Sequence, residues 1–173
     1  MNIFLMGYMG SGKTTIGKGL AQVLRYNLID FDVYIEEEEG AAISEIFSQK
    51  GEIYFRKREA HYLKKLVDSN LENTVVSLGG GTPCYGRNLE LIKSAQALSI
   101  YLNTSVQELT KRLWTEREKR PVINNQDSKE SLEEFIRKHL FERGFYYNQA
   151  TRVIKTDSKD TSQIVEEIVT LLF

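Results

Sequence analysis

The sequence predicts an α/β fold: one three-layer domain with a central parallel sheet of about five strands and helices on both faces. Three observations lead there. Apolar runs of strand length alternate with stretches of helical period along the chain. A glycine-rich segment stands between the first apolar run and the first helical stretch, as in a strand–loop–helix that cradles phosphate. The 173 residues, 41% of them hydrophobic, suit a single domain with one core.

The strand runs are residues 3–6, 28–31, 75–78, 98–102 and 152–155. The helical stretches are 15–25, 41–47, 52–69, 89–95, 105–114, 128–150 and 161–172. Between the second and third strands, residues from Asp32 to about Asp68 form a long, mostly helical excursion. Residues from Thr115 to about Lys129 are highly polar and read as a mobile surface loop of the kind that serves as a lid.

Gly7-Tyr8-Met9-Gly10-Ser11-Gly12-Lys13-Thr14 fits the pattern G-x-x-x-x-G-K-[ST] of a P-loop. Its glycines let the backbone turn its N–H groups toward a ligand, and the following helix start adds partial positive charge. Lys13 brings a full charge to the outer phosphates, and the Thr14 hydroxyl reaches a Mg²⁺ ion. Asp30-Phe31-Asp32 ends the second strand run. Strand alternation puts both carboxylates on one side, facing the crevice at the strands' carboxyl ends. One acid can act on Mg²⁺ through water, and the other can orient a substrate hydroxyl. The alternative is a polar turn with one acid capping the next helix.

Phe55-Arg56-Lys57-Arg58-Glu59 opens a helix after Gly51. It is either a solvated face or a guanidinium grip for a substrate carboxylate, steadied by a nearby acid. Gly79, Gly80 and Gly81 end the third strand run, where close backbone approach to a ligand explains their entropic cost. Arg120, in the polar loop, and Arg143, ahead of Tyr146 and Tyr147, are further cationic candidates.

Lys and Arg number 23 and Asp and Glu 24, for a net charge of −1. That balance offers no bulk attraction for nucleic acid or an anionic membrane, and neither is expected as a partner. Cys84 is the lone cysteine, so no internal disulfide forms; it is read as a small, half-buried residue. The N-terminus lacks the basic and apolar regions of a signal peptide, and no run approaches the roughly 18 apolar residues of a membrane span. A cytoplasmic monomer is expected.

Taken in order, these motifs resemble the shikimate kinase family of P-loop, nucleoside-monophosphate-kinase-like enzymes. The resemblance runs through Gly7–Thr14, Asp30-Phe31-Asp32, Ile46-Phe47, Gly51-Glu52, Phe55-Arg56 with Glu59, Ser77–Gly81, Arg120-Pro121, and Arg143 four residues before Tyr147. It implies transfer of the ATP γ-phosphoryl to the 3-hydroxyl of shikimate. It further implies ATP contacts from Gly10, Ser11, Gly12, Lys13, Thr14, Thr15, Arg112 and Arg120. Mg²⁺ then falls to Thr14 and, through water, Asp30. Shikimate falls to Asp32, Arg56, Arg143 and Gly79–Gly81, with Glu59 holding Arg56 and Phe47 and Phe55 walling the pocket. Lys13, Asp32 and Arg120 take the catalytic roles, and residues 156–159 are placed like the family's adenine loop. The turn at Tyr8-Met9, the segment 82–85 and the spacing from Arg112 to Arg120 depart from the family pattern. A gluconate or nucleoside-monophosphate kinase is the rival enzyme. A P-loop GTP-binding switch is the rival of another class, and the N-K-x-D motif of such switches is missing from the sequence.

Overall fold

The computed structural model describes residues 1–173. Five strands form one parallel sheet in the order β2-β3-β1-β4-β5. They are β1 (Ile3–Met6), β2 (Asn27–Asp30), β3 (Thr74–Ser77), β4 (Leu98–Asn103) and β5 (Arg152–Lys155). Ile3 pairs with Val75 on one side and Leu98 on the other, so β1 is fully interior. Such a strand needs apolar side chains on both faces, and Ile3, Phe4, Leu5 and Met6 are all at most 1% exposed.

Alternation along β1 separates two cores. Ile3 and Leu5 meet α1 (Lys13–Leu24) and α7 (Thr161–Leu172) through Ile16, Leu20, Ile164 and Ile168. Phe4 and Met6 belong to the larger cluster on the opposite face. That cluster includes Phe31 and Ile35 of α2 (Phe31–Glu39) and Tyr62, Leu63 and Leu66 of α3 (Ile43–Asp68). It continues through Ile92 of α4 (Asn88–Ser94), Leu109 and Leu113 of α5 (Val106–Glu116), and Leu132 and Ile136 of α6 (Lys129–Tyr147). Each such side chain contributes roughly 1.5–3 kcal/mol on burial, offset by the entropy of ordering the chain. The three layers are those the sequence predicts.

One expectation is corrected. The second strand ends at Asp30 rather than Phe31, and Phe31 opens α2. Asp30 and Asp32 therefore do not alternate along a strand. Asp30 caps α2, accepting from the N–H groups of Asp32 and Val33 at 3.1 and 3.3 Å, and Asp32 lies in the first helical turn. The separate helices expected at 41–47 and 52–69 are present within α3: its two helical segments meet at Gly51, whose φ of 83° and ψ of 170° fall outside helical space and break the helix there.

The polar stretch after α5 holds one 3₁₀ turn, Arg117–Lys119, followed by further turns, and it is not wholly solvated. Ile123 is fully buried in the larger core and tethers it. No helix is long and apolar enough to cross a membrane.

The acidic run at the end of α2 fastens the helical excursion. Glu36 accepts from the N–H of Ile43 at 2.8 Å, and Glu38 pairs with Lys65 at 2.8 Å. The Glu39 side chain is 6% exposed and accepts from Tyr54 at 2.8 Å, Arg58 at 2.6 Å and Tyr62 at 2.6 Å. Truncating it strands three donors. Glu39→Ala is expected to lower unfolding free energy by about 2 kcal/mol, read as a lower urea midpoint at unchanged slope. Glu37→Ala, on the exposed side of the run, should be neutral within about 0.5 kcal/mol.

Candidate active site

The P-loop joins β1 to α1 at the carboxyl edge of the sheet, beside the point where the strand order turns from β1 to β3. Gly10 and Gly12 take φ of 80° and 93°, closed to most side chains. α5, α6 and α7 begin on Ser105, Ser128 and Asp160, whose side chains cap the first turn. α1 begins on Gly12 with no side-chain cap and no acid in its first turn. Its N-terminal amides are left for an anion from outside the chain.

A cavity of about 580 Å³ opens over this helix start. It is lined by Gly10, Ser11, Gly12, Lys13, Thr14 and Thr15, and by Asp30, Asp32, Gly80, Arg112, Arg120 and Lys159. The Lys13 ammonium donates to the carbonyls of Gly7 and Tyr8 at 2.8 and 3.1 Å. Burial, with help from Arg143 and Arg120, draws its pKa down to about 8, against the pull of Asp32 and Asp30. Thr14 donates to Asp30 at 3.0 Å, so a hydroxyl and a carboxylate oxygen meet at the cavity floor. Burial first, and then the Asp30 carboxylate, push Asp32 up to about 6, with Lys13 opposing.

Gly79, Gly80 and Gly81 form the hub of the site. A Cβ on Gly79 would stand 2.6 Å from the Asp32 carboxylate, and one on Gly81 would stand 2.8 Å from the Arg56 guanidinium. A Cβ on Gly80 would stand 3.4 Å from both an Arg143 nitrogen and the Met9 amide nitrogen. The turn is bare so that three charged side chains, from α2, α3 and α6, can close on it.

The two clamp candidates differ in their partners. Arg56 is held at 2.9 Å by Glu59, a buried carboxylate that also accepts from Thr82 at 2.8 Å. Its guanidinium lies 3.8 Å from the centre of the Tyr85 ring. Phe47 and Phe55 stand beside it with ring centres 4.7 Å apart. Arg143 is 9% exposed and pairs with no carboxylate; it lies 5.8 Å from the Tyr8 ring centre. Tyr147, one turn on, donates to the Gly80 carbonyl at 2.6 Å.

Arg120 donates twice to Glu116, at 2.9 and 2.7 Å, on the cavity wall. Arg112 lies on the P-loop, donating to the Gly10 carbonyl at 3.1 Å while paired with Glu108 at 2.9 Å. In the segment 156–159, Lys159 lines the cavity, whereas Thr156 is buried against Thr104 at 2.6 Å. Thr82 and Tyr85 escape sequence reasoning because neither carries a motif; Tyr8 is visible there only as a variable P-loop position.

The shikimate kinase family model matches residues 9–173. The chain belongs to the shikimate kinase family. A shikimate kinase from Flavobacterium johnsoniae is 43% identical over 170 residues, spanning 98% of each chain. The crystal structure of shikimate kinase from Bacteroides thetaiotaomicron superposes with a TM-score of 0.90 at 35% identity, covering 99% of this chain and 98% of that one. The Acinetobacter baumannii shikimate kinase solved in complex with shikimate gives 0.87 at 32% identity, covering 99% and 92%. The fold and family expected from the motifs are borne out.

The raised Asp32 pKa has a thermodynamic consequence. The folded chain keeps a proton on this carboxyl between the usual value of 3.8 and about 6, where the unfolded chain has released it. The contribution of Asp32 is therefore greatest below the lower value and is lost as pH rises through the upper one. Asp32→Asn, which mimics the protonated form, is expected to stabilise the ligand-free protein by about 1–3 kcal/mol at pH 8. The gain should shrink toward zero near pH 4, as measured by paired denaturant titrations.

Proposed function

We propose that the protein transfers the γ-phosphoryl group of ATP to the 3-hydroxyl of shikimate, giving shikimate 3-phosphate and ADP. One observation carries this reading: Arg143, a buried guanidinium with no acidic partner, closes on the same bare glycine turn as Asp32 and Arg56. A buried cation without a counter-ion is costly, and a substrate carboxylate between Arg143 and Arg56 would balance it. Arg56 already has Glu59, which fixes its orientation rather than cancelling the second charge.

The substrate hydroxyl is then placed at Asp32, beside the P-loop, with Gly79–Gly81 at the ring and Phe47 and Phe55 as the wall. Residues of about 32–68 serve as the substrate-binding subregion. Asp32 orients the 3-hydroxyl and accepts its proton as the oxygen bonds to phosphorus and the bridging oxygen leaves with ADP. Lys13 leaves the carbonyls it now touches and meets the β- and γ-phosphates. Amides of Gly10–Thr15 hold the remaining phosphate oxygens. Arg112 and the segment 156–159 stand on the adenine side.

No cluster of three or more His, Cys, Asp or Glu side chains is placed to hold a metal by itself. The donors present, the Thr14 hydroxyl and the Asp30 carboxylate, are hard oxygens 3.0 Å apart. That pair fits Mg²⁺, which takes few protein ligands and fills its shell with water and phosphate oxygens. Bound there, it would supply charge neutralisation between the β- and γ-phosphates. Residues of about 115–129 act as the lid. When it closes, Arg120 exchanges Glu116 for the phosphate charge, and water is kept from the transferred group.

A coupled ADP-release assay with Mg-ATP tests the reading. ADP release should depend on shikimate and stay at background with gluconate or nucleoside monophosphates; turnover with gluconate in place of shikimate would overturn it. Arg143→Ala should raise the KM for shikimate about 10- to 100-fold, the worth of a charge-assisted hydrogen bond, with the KM for ATP changed less than about twofold. Asp32→Asn should cut kcat at least about 100-fold, and a loss under about threefold would remove its role as base.

A further inference from the structure

We propose that Tyr8, a residue of the P-loop, is a positioning residue for the Arg143 guanidinium, held in register by the bond from its hydroxyl to His139. The proposal rests on the reading of Arg143 as a carboxylate anchor. A buried arginine that waits for a substrate's charge has no ion pair to hold it still, so other contacts must do so. Two tyrosines flank Arg143. Tyr147 is fixed at both ends, its hydroxyl on the Gly80 carbonyl at 2.6 Å and its ring stacked on Tyr101 with centres 5.1 Å apart. Tyr8 is 1% exposed, and its ring faces the Arg143 guanidinium at 5.8 Å.

The anchor for Tyr8 is His139, one helical turn before Arg143 on α6. The phenolic oxygen lies 2.9 Å from His139 Nδ1, and the two rings meet edge to face with centres 5.4 Å apart. Burial, and then the positive charges of Arg143 and Arg56, hold His139 down to about 4, so its ring is neutral at neutral pH. Burial also raises Tyr8 above the ordinary phenol range. The proton therefore stays on the Tyr8 oxygen, and the neutral imidazole pairs with the hydroxyl through Nδ1, the tautomer setting which of the two donates. Filling space would not require a hydroxyl here, since burying one needs a partner.

Tyr8 also belongs to the nucleotide side. Its carbonyl accepts from the Lys13 ammonium at 3.1 Å. Its neighbour Met9 meets Arg143 across Gly80, each 3.4 Å from the point where a side chain there would begin. One residue thus registers the acid anchor against the phosphate cradle. This is a distance that a transfer between two bound substrates has to hold to within fractions of an ångström.

Steady-state kinetics of four variants test this. Tyr8→Phe keeps the ring and loses the hydroxyl. It should raise the KM for shikimate about three- to tenfold, the worth of one hydrogen bond, with the KM for ATP changed less than about twofold. His139→Leu should show the same effect, and the double variant should add nothing to either single one. His139→Asn, whose side-chain amide can either accept from or donate to the Tyr8 hydroxyl, should return the shikimate KM to near the parent value.

An unchanged shikimate KM in Tyr8→Phe, an equal rise for ATP, or additive effects in the double variant would overturn the positioning role. So would a melting temperature that falls while both KM values hold. Arg143→Ala, measured alongside, separates the two readings. If it leaves the shikimate KM unchanged, the carboxylate anchor is wrong and Tyr8 has nothing to position. If it raises that KM while Tyr8→Phe does not, only the role of Tyr8 falls.

Discussion

Close approach to a stretch of backbone without side chains is the constraint on which the site depends. Asp32, Arg56 and Arg143 come from three different helices, and each reaches the turn Gly79–Gly81 at a distance that a methyl group would forbid at two of its three positions. The turn follows β3, so its place is set by the sheet, and β3 pairs with β1, which leads into the P-loop. The positions of the acid, the two guanidinium groups and the phosphate cradle are thereby referred to one rigid pair of strands. Any side chain inserted at Gly79 or Gly81 would push a charged group off its mark, with no flexible loop in between to absorb the change.

Electrostatics divides the site into groups that are already balanced and groups that are not. Arg56 with Glu59, Arg58 with Glu39, and Arg112 with Glu108 are internally paired, and they hold helices or side chains in place. Lys13 and Arg143 are buried and make no salt bridge: Lys13 bonds only carbonyls, with Asp32 and Asp30 nearby, and Arg143 lies against the Tyr8 ring. Asp32 is pushed up to about 6 by burial and by a second carboxylate. In the proposed reaction, the unbalanced groups are where charge would arrive with the ligands. Their cost in the empty protein is the usual exchange of stability for a site organised in advance.

Much of this was legible in the chain itself, for local reasons. The P-loop is a contiguous run whose glycines and lysine sit at fixed spacing, so its phosphate role needs no tertiary information. The buried strands read plainly because interior parallel strands are apolar on both faces, as Ile3–Met6 shows. The junction at Asp30-Phe31-Asp32 did not read plainly. Strand alternation and a helix cap both put polar groups there, and only the backbone at Asp30, extended and accepting from two helical N–H groups, decides for the cap. Helix α2 was hidden because its apolar positions, Phe31 and Ile35, are followed by four acids, three of which bond to α3.

By itself, the sequence determined the fold class, the phosphate-binding loop and the set of charged residues available to the site. Those properties live in short runs of chain. The tertiary structure decided which guanidinium is left without a counter-ion, why Gly79 and Gly81 must be bare, and that Tyr8 of the P-loop touches the helix carrying Arg143. Those facts depend on residues 25 to 135 positions apart, such as Arg56 and Gly81 or Tyr8 and Arg143. No local pattern records such distances; packing across the sheet sets them.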